Sequence, residues 1–530
     1  MLTESYLAAS HTTPPLKISV GQWLRLIATE VPDRLALVGV PATVAPPQLQ
    51  WTYRELLQRS EALAQRLLAD FTPGERVAVW ASNKPEWVLL QMGAALAGIV
   101  LVTLNPANRI EEMRYLLQQS ACCGLFLDRS YRKLDNQALL NELRPGLPAL
   151  RLTVYFDEWD HYLAGPHSAR KLPQVSPADP ALVLFTSGTT GKPKGVVLTH
   201  QGIINNARYA QERYELAPGS VWLTVLPCFH VGGSVTSTLG CLSNRGTQAL
   251  MSEFSAEVML RAIETFKVNL TMAVPLMVHA MLEHERFAAT DVSSLKLFLT
   301  GGATVAPKLV QLIRDRFRTD VGVMFGQTEA GGTMCLTCRG DSVDQLCNTV
   351  GKPISSYEAK IINPADAATL PVGEIGEICV RSACTMSGYS AQPEATAQTL
   401  EADGWLHTGD LGTMRSDGYL SITGRLKDMI IRGGENIYPR EIEDLLGTHP
   451  AVSQAAVFGL PDEKWGEQVA AAVMLKTGSS TSGDELFAFL IDRIAKHKVP
   501  KFWTFVTQFP VNPTGKIQKF LLRDQLIISK

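Results

Sequence analysis

The sequence predicts an α/β protein with largely parallel sheets and more than one domain. Two β-rich runs, residues 76–80 and 295–299, are each followed by apolar residues at helical spacing, over residues 85–97 and 305–317. This alternation of strand and helix is typical of α/β layers. The chain has 530 residues, more than one hydrophobic core usually holds, so we expect it to divide into domains.

The sequence changes in character after about residue 350. The runs "PVGEIGEICVRS" and "DGYLSITG" indicate short, glycine-punctuated strands, as in a small β-barrel or a distorted sheet. A compact α+β segment follows, with helices predicted from Pro439 to Gly447 and over residues 484–497. Because about 100 residues suffice for a separate domain, we place a boundary between domains 1–426 and 427–530.

Composition excludes several classes of protein. The chain is 46% hydrophobic and 19% charged with a net charge of −2, which is typical of a globular protein and not of a nucleic-acid binder. The nine cysteines show no disulfide framework, and the set of Cys335-x-x-Cys338 with Cys347 lacks a fourth zinc ligand at a usual spacing. We expect a reducing, cytoplasmic location. The longest apolar run, residues 88–104, predicts a buried helix and strand and not a membrane span.

Residues 184–195, "LFTSGTTGKPKG", form a glycine-rich, basic loop between two predicted strands. Glycines let backbone N–H groups approach an anion, while hydroxyls and lysines add donors and positive charge. The loop is not a Walker A motif, because only two residues separate Gly188 from Gly191. The pattern therefore indicates a phosphate-binding loop or, alternatively, a surface linker rich in small polar residues.

Further motifs follow this loop at wide intervals along the chain: "PCFHVGG" (227–233), "TGGATV" (300–305), "FGQTEAGG" (325–332), "GWLHTGDLG" (404–412), "GRLKDMIIRGGENIYPREIE" (424–443) and "NPTGKIQK" (512–519). Together they resemble, in order, the motifs of the adenylate-forming superfamily, and most closely those of acyl- and aryl-CoA synthetases. The resemblance implies a large N-terminal domain of two αβ-layered sheets plus a small β-barrel-like part. It also implies a small, mobile α+β C-terminal domain.

The resemblance implies an ATP and Mg²⁺ site. The residues expected to grip the phosphates are Thr186, Ser187, Gly188, Thr189, Thr190, Gly191 and Lys194. Those expected at the adenine are Gly302, Ala303, Phe325, Gly326 and Gln327. Thr328 would contact phosphate, and Glu329 would hold Mg²⁺, which prefers oxygen ligands. Asp410 and Arg425 would bind the ribose.

The resemblance also implies two half-reactions. A carboxylate attacks the α-phosphorus of ATP to give acyl-AMP and pyrophosphate, and a thiol then displaces AMP. Because the first step brings an anion to a polyanion, charge neutralisation and positioning dominate. Lys516 would sit between the carboxylate and the α-phosphate. Rotation about Lys427 would then bring a thiol tunnel at Gly433 and Gly434 to the site.

Coenzyme A is the expected thiol. Trp465 stands where acyl- and aryl-CoA synthetases can carry a tryptophan near the CoA nucleotide, although a buried structural tryptophan is the alternative. A carrier-protein phosphopantetheine remains possible as acceptor, since it presents the same thiol arm. The rival from another class is a non-catalytic nucleotide-binding protein, and the oligomeric state is open.

The acid is expected to be apolar. Peptide-synthetase adenylation domains place an aspartate after the position of His230 to bind an amino group, and none follows here, so amino acids are disfavoured. Small residues predict an acyl pocket at Val231, Gly232, Gly331 and Gly332, which favours an acyl or aryl group of medium chain length. Alternatively, these glycines serve backbone turns alone. His230, a candidate catalytic residue, gates the pocket or packs within it.

Overall fold

The computed structural model describes residues 1–42, 49–186, 192–303, 305–511 and 517–528. They form two compact units. The larger unit comprises Leu7–Ala359 and Val380–Leu406, and the smaller comprises Met1–Tyr6, Lys360–Cys379 and His407–Lys530. The predicted α/β class is confirmed, whereas the boundary between residues 426 and 427 stays a prediction.

The larger unit contains a nine-stranded sheet whose central strands are parallel and whose edges are antiparallel. In spatial order its strands are Lys352–Pro353, Gly332–Leu336, Asp320–Gln327, Leu297–Gly301, Leu270–Ala273, Val221–Thr224, Thr247–Met251, Leu35–Val40 and Gln50–Thr52. Its parallel strands end at one edge of the sheet, which is where open α/β sheets bind their ligands.

A second, seven-stranded sheet lies in the same unit, with five parallel strands and two antiparallel ones. In spatial order its strands are Gly388–Tyr389, Lys194–Thr199, Pro180–Thr186, Val100–Leu104, Arg76–Trp80, Gly124–Leu127 and Leu152–Tyr155. The short strands Ser130–Tyr131 and Leu134–Asp135 pair only with each other. The expected pair of αβ-layered sheets is therefore present.

Helices cover and connect these sheets. The α-helices of the larger unit are Val20–Glu30, Tyr53–Asp70, Pro85–Ala97, Ile110–Ser120, Asn136–Leu143, Trp159–Leu163, His200–Tyr214, Gly240–Ser243, Ala256–Thr265, Pro275–Glu283, Pro307–Phe317, Val343–Asn348 and Pro393–Thr399. Its 3₁₀ turns are Arg144–Gly146, Phe156–Glu158, Glu285–Ala289 and Thr328–Ala330, and Gly232–Leu239 is a π-helix. Most of the long helices cover a sheet with one apolar face.

The helix Pro85–Ala97 is buried on all sides because it packs against the helices Tyr53–Asp70 and Val20–Glu30 as well as against the strands Val100–Leu104 and Leu35–Val40. It continues into the fully buried strand Val100–Leu104, so the predicted buried helix and strand over residues 88–104 are confirmed. Among the described residues, every helix is too short or too polar to cross a bilayer.

The smaller unit contains two sheets. The first, most of whose residues belong to this unit, has the strands Tyr6–Leu7, Glu358–Ile362, Gly376–Arg381, Trp405–Met414 and Leu420–Arg425 in that spatial order. The second has Glu435–Ile437, Ile430–Arg432, Gly466–Leu475 and Val452–Asp462, with Phe502–Phe505 paired to Gly466–Leu475. The first sheet keeps two open edges in the described residues, so the β-barrel-like part is a sheet and not a closed barrel.

The helical elements of the smaller unit are Leu426–Asp428, Pro439–Gly447, Gly483–Ile491, Lys496–Lys498 and Lys519–Ile528. The helix predicted over residues 484–497 ends at Ile491, earlier than expected. The Arg493 Nη1 donates to the carbonyl of Phe489 over 2.5 Å, and the backbone N–H of Arg493 donates to Leu490. These bonds satisfy the terminal carbonyls and close the helix early.

His200 is the fully buried first residue of the helix His200–Tyr214. Its Nδ1 accepts a hydrogen bond from the backbone N–H of Val20 over 3.4 Å, and its Nε2 has no partner among the described residues. Burial lowers the pKa of His200 from 6.5 to about 4, although the charge of Asp179 opposes this shift. The folded protein therefore keeps this imidazole neutral over a pH range in which the unfolded chain protonates it.

We predict that this mismatch in pKa costs about 2 kcal/mol of unfolding free energy by pH 5, because only the unfolded chain takes up the proton below pH 6.5. His200→Asn should be less stable at pH 8 yet lose less stability between pH 8 and pH 5. Chemical denaturation at both pH values measures this. The exposed His161→Asn is the control and should keep the wild-type pH dependence; an unchanged dependence in His200→Asn would contradict the assignment.

Candidate active site

The predicted adenine residues lie at the carboxyl ends of two adjacent parallel strands. Gly301, which ends one strand, pairs with Met324 of the other. Gly302 and Ala303 follow the first strand directly and are exposed, while Phe325 lies one residue beyond Met324 and is 8% exposed. The fold thus brings these segments, which are separate in sequence, to one sheet edge.

Glu329 is the residue at which the motifs meet. Its Oε1 accepts hydrogen bonds from the Thr186 hydroxyl over 3.1 Å and from the Tyr389 hydroxyl over 3.0 Å. Its backbone carbonyl accepts the N–H of Met386 over 2.8 Å. Thr186 ends the strand that leads into the glycine-rich loop, so this carboxylate joins the loop to the "FGQTEAGG" segment.

Lys194 begins the strand that leaves the same loop. It pairs in register with Thr186, and its Nζ lies 4.7 Å from the centroid of the Tyr389 ring, in cation–π distance. Four side chains, those of Thr186, Lys194, Glu329 and Tyr389, therefore converge at the base of the loop. Other predicted site residues lie outside the described part of the chain: Ser187, Gly188, Thr189, Thr190, Gly191 and Lys516.

The donors around Glu329 suit Mg²⁺. Carboxylate and hydroxyl oxygens are the ligands that this hard cation prefers. Both side-chain hydrogen bonds go to Oε1, and within the described residues Oε2 accepts none, so one oxygen faces the site. Burial and then the charge of Glu329 raise the pKa of Tyr389, so its hydroxyl stays a neutral donor.

A buried hydrogen-bond network fixes the turn Thr328–Ala330. The Tyr357 hydroxyl donates to the carbonyl of Ala330 over 2.6 Å and accepts from the Asn206 side chain over 2.7 Å. Asn206 also binds the N–H and carbonyl of Thr333, over 3.1 and 2.7 Å. Sequence reasoning missed Asn206, Tyr357 and Tyr389, because none of them stands in a motif that carries the chemistry.

Gly331 and Gly332 have packing reasons of their own. A Cβ on Gly331 would lie 2.3 Å from the carbonyl oxygen of Cys384, and one on Gly332 would lie 2.7 Å from Oδ1 of Asn206. Both residues have positive φ, +81° and +133°. A Cβ on Gly326 would likewise meet the Gly332 carbonyl at 2.0 Å. These contacts favour the alternative that the glycines serve the backbone, and their role in an acyl pocket stays a prediction.

Two side chains from the seven-stranded sheet and the loop after its strand Arg76–Trp80 hold the His230 segment. Asn83 binds the carbonyl of Leu226 and the N–H of Cys228, over 3.1 and 2.7 Å, and Thr103 binds the carbonyl of Phe229 over 2.7 Å. His230 is half-buried, and burial lowers its pKa, so its imidazole is neutral near pH 7.

Val231 and Gly232 follow His230 at the start of the π-helix Gly232–Leu239. Val231 is 4% exposed, and His230 Nδ1 accepts the N–H of Gly232 over 3.3 Å. The Ser237 hydroxyl donates to the carbonyl of Gly232 five residues earlier. Since π-helical turns are rare and frequent at functional sites, this segment remains the candidate acyl wall.

Asp410 and Arg425 come together in the smaller unit. They are register partners on adjacent antiparallel strands, and Arg425 Nε lies 2.8 Å from Asp410 Oδ1. Asp410 is 4% exposed. The bend before it is held by Glu377, whose Oε1 accepts the N–H of Gly409 over 3.0 Å, and by Thr408, whose hydroxyl accepts the N–H of Asp410 over 3.1 Å.

The predicted hinge and thiol-tunnel residues lie on exposed turns of the smaller unit. Lys427 is exposed within Leu426–Asp428, and Gly433-Gly434 forms the two-residue turn of a hairpin, with φ of +61° and +86°. The Gly433 N–H donates to the carbonyl of Trp465 over 2.7 Å. Trp465 is 39% exposed, so the alternative of a buried structural tryptophan is wrong.

The segment around Lys516 is bracketed by an antiparallel bridge between Val511 and Ile517. Lys519, at the start of the following helix, forms an ion pair with Glu443 over 2.6 Å. Residues 512–516 lie outside the described part of the chain, so the position of Lys516 stays a prediction.

Comparison with protein families gives two matches. The profile described as "AMP-binding enzyme" matches residues 24–390, and that described as "AMP-binding enzyme C-terminal domain" matches residues 441–516. The chain is similar to acyl-CoA ligase SID4 of Ajellomyces capsulatus, with 37% identity over 98% of this chain and 94% of the relative. It is also similar to human medium-chain acyl-CoA ligase ACSF2, mitochondrial, with 34% identity over 96% and 87%.

Solved structures show the same architecture. ATP-bound MatB from Rhodopseudomonas palustris superposes with a TM-score of 0.87 at 26% identity, covering 96% of this chain and 99% of MatB. The o-succinylbenzoate CoA synthetase of Bacillus subtilis, in complex with its acyl-adenylate intermediate, gives a TM-score of 0.82 at 28% identity, covering 97% and 98%.

We predict that Gly331→Ala is far more destabilising than Gly340→Ala. Both glycines have a φ of +81°, but a Cβ on Gly340 would meet nothing within 4 Å. Each substitution should cost about 1 kcal/mol for the left-handed backbone, and Gly331→Ala a further ~1–3 kcal/mol for the contact with Cys384. Urea unfolding measures both. Equal losses would mean that the space beside Gly331 is open, as an acyl pocket there requires.

Proposed function

The chain belongs to the AMP-binding enzyme family, and on this basis we propose that it is an AMP-forming acid–thiol ligase that converts a carboxylic acid to its acyl-CoA. The predicted membership of the adenylate-forming superfamily is thereby confirmed, as is the prediction that the chain is an enzyme. The acid, the acceptor and the roles of individual residues belong to the proposal.

The contact of Thr186 and Tyr389 with Glu329 carries this proposal. It brings the end of the glycine-rich loop, 143 residues away in sequence, to the carboxylate of the "FGQTEAGG" segment. Phosphate donors and a carboxylate for Mg²⁺ then lie together at the sheet edge beside Phe325. An acid-activating enzyme needs this combination, because it must hold a nucleoside triphosphate while an anion attacks it.

In the first step, Thr186 and Lys194 bind the phosphates with the loop, and Phe325 packs against the adenine. Glu329 would hold Mg²⁺, which neutralises phosphate charge when it is bound. Arg425 orients the Asp410 carboxylate toward the ribose hydroxyls. The ammonium of Lys516 then offsets the repulsion between the incoming carboxylate and the α-phosphate.

In the second step, the 427–530 domain rotates about Lys427 and replaces Lys516 by the Gly433-Gly434 turn. A Cβ on Gly434 would meet nothing within 4 Å, so this turn presents an open backbone surface, although its φ of +86° already favours glycine. The exposed Trp465 packs beside Gly433, at 2.8 Å from its Cβ position, and offers a ring to the CoA nucleotide.

The acid is proposed to be apolar and of medium chain length. The relatives named medium-chain acyl-CoA ligase support this choice, as does the absence of an acidic residue in the run from His230 to Ser234. The neutral imidazole of His230 would gate the pocket without adding charge to it. The CoA acceptor is supported by the same relatives, while carrier-protein transfer remains the second candidate. A cytoplasmic location stays a prediction.

We expect acid-dependent pyrophosphate release from ATP and Mg²⁺, with medium-chain fatty or simple aryl acids favoured over short-chain acids and amino acids. A panel of these acids should be assayed with a preparation of the protein that is folded and binds ATP. No acid-dependent release would exclude the ligase and favour a non-catalytic nucleotide-binding protein. Thioester formation with CoA and with a phosphopantetheinylated carrier protein, compared in parallel, distinguishes the two acceptors.

Lys516→Ala is predicted to lower acyl-AMP formation by at least 100-fold, because one well-placed cation at the reacting phosphate is lost. The same variant should largely keep the conversion of supplied acyl-AMP to acyl-CoA. Single-turnover assays of each half-reaction measure this. The matched control is Lys519→Ala, which removes a lysine three residues after Lys516 and breaks its ion pair with Glu443. Equal loss of both half-reactions would count against the rotating-domain hypothesis.

A further inference from the structure

Three metal-binding side chains lie together on the first sheet of the smaller unit. Glu377 and Cys379 are alternate residues of the strand Gly376–Arg381, so they share one face of the sheet. His407 lies on the neighbouring strand Trp405–Met414. One ligand atom from each residue lies within 4.8 Å of the other two. None of the three was singled out from the sequence, because their spacing along the chain follows no metal-binding pattern.

The distances are close to those of a zinc site. His407 Nδ1 lies 3.7 Å from Cys379 Sγ and 3.0 Å from Glu377 Oε2. Zinc bonds of about 2.0 Å to nitrogen or oxygen and 2.3 Å to sulfur place neighbouring ligand atoms roughly 3.3–3.6 Å apart in a tetrahedron. The thiol and imidazole are therefore already suitably spaced, and the carboxylate oxygen would retreat by a few tenths of an ångström.

The surroundings also fit a bound cation. The Cys379 residue is fully buried and the Glu377 side chain is 7% exposed, whereas the His407 side chain is 27% exposed and leaves an entry path. The second carboxylate oxygen of Glu377 accepts the N–H of Gly409, which fixes the orientation of the carboxylate. Such a second hydrogen bond is what positions carboxylate ligands in metal sites.

We propose that Glu377, Cys379 and His407 bind one thiophilic divalent cation of the zinc class. The sulfur ligand favours Zn²⁺ or Cd²⁺ over Mg²⁺ and Ca²⁺, which prefer oxygen alone. Three protein ligands leave the fourth position to water. None of its three ligands is Glu329, the Mg²⁺ ligand proposed above, which belongs to the larger unit.

Zn²⁺ titration of the full-length, metal-stripped protein tests the proposal. Calorimetry should show one site per chain, and Co²⁺ should give a sulfur-to-metal charge-transfer band. Cys379→Ser and His407→Gln should each weaken Zn²⁺ binding at least 10-fold and abolish the band. Cys347→Ser, a partly exposed cysteine outside the cluster, should change neither.

Circular dichroism establishes that each variant is folded, and His407→Gln serves alone if Cys379→Ser does not fold. The proposal is overturned if the wild type binds no Zn²⁺ or if both folded variants bind it as tightly as the wild type. Loss of the site in Cys347→Ser would overturn it equally, since the binding would then lie elsewhere.

The site is connected to the proposed ribose contact. Glu377 binds both His407 and the N–H of Gly409, the residue before Asp410. Zn²⁺ should therefore change the KM for ATP in the wild type, and by less in Cys379→Ser. This second expectation rests on the proposed ligase function, while Zn²⁺ binding does not. Binding without a change in KM would confine the site to a structural role, and a ligase that binds no Zn²⁺ would refute the site alone.

Discussion

The carboxylate of Glu329 is the contact on which the candidate active site depends. Thr186 comes from the seven-stranded sheet, and Tyr389 belongs to the two-residue strand at the edge of that same sheet. Glu329 follows a strand of the nine-stranded sheet. A single oxygen therefore joins the edges of both sheets. Because hydrogen bonds to a carboxylate are stronger than those between neutral groups, this junction fixes the place where phosphates and a cation would meet.

Buried polar side chains keep that junction in register. Asn206 and Tyr357 hold the turn after Gln327, and Asn83 holds the chain just before His230 through the backbone groups of Leu226 and Cys228. Each buried amide would be costly without its partners, so these residues tolerate few alternative backbone positions. The glycines between them allow the chain to pass within van der Waals distance of neighbouring carbonyls.

Local sequence patterns were sufficient for several individual elements. The strand Arg76–Trp80 and the helices Pro85–Ala97 and Pro439–Gly447 have their predicted bounds, and both helices begin at a proline and end at or before a glycine. The helix Gly483–Ile491 ends earlier than predicted, because the Arg493 side chain donates to the carbonyl of Phe489 near its end. Helix propensities describe single residues and do not predict such a hydrogen bond. The sequence left open whether the glycine-punctuated strands form a small barrel or a distorted sheet, because closure depends on pairing between distant segments, and the described strands form an open sheet.

The motifs alone predicted the family, which is confirmed, and proposed the ATP-binding segments and the candidates Glu329, Asp410 and Arg425, because phosphate and cation chemistry restricts which residue types can serve. The partners of those residues came from the fold. Tyr389 reaches Glu329 through strand register, and Glu377 reaches the bend before Asp410 from a neighbouring strand. A sequence records neighbours along the chain, whereas a hydrogen bond depends on distances of about 3 Å between segments that only packing brings together.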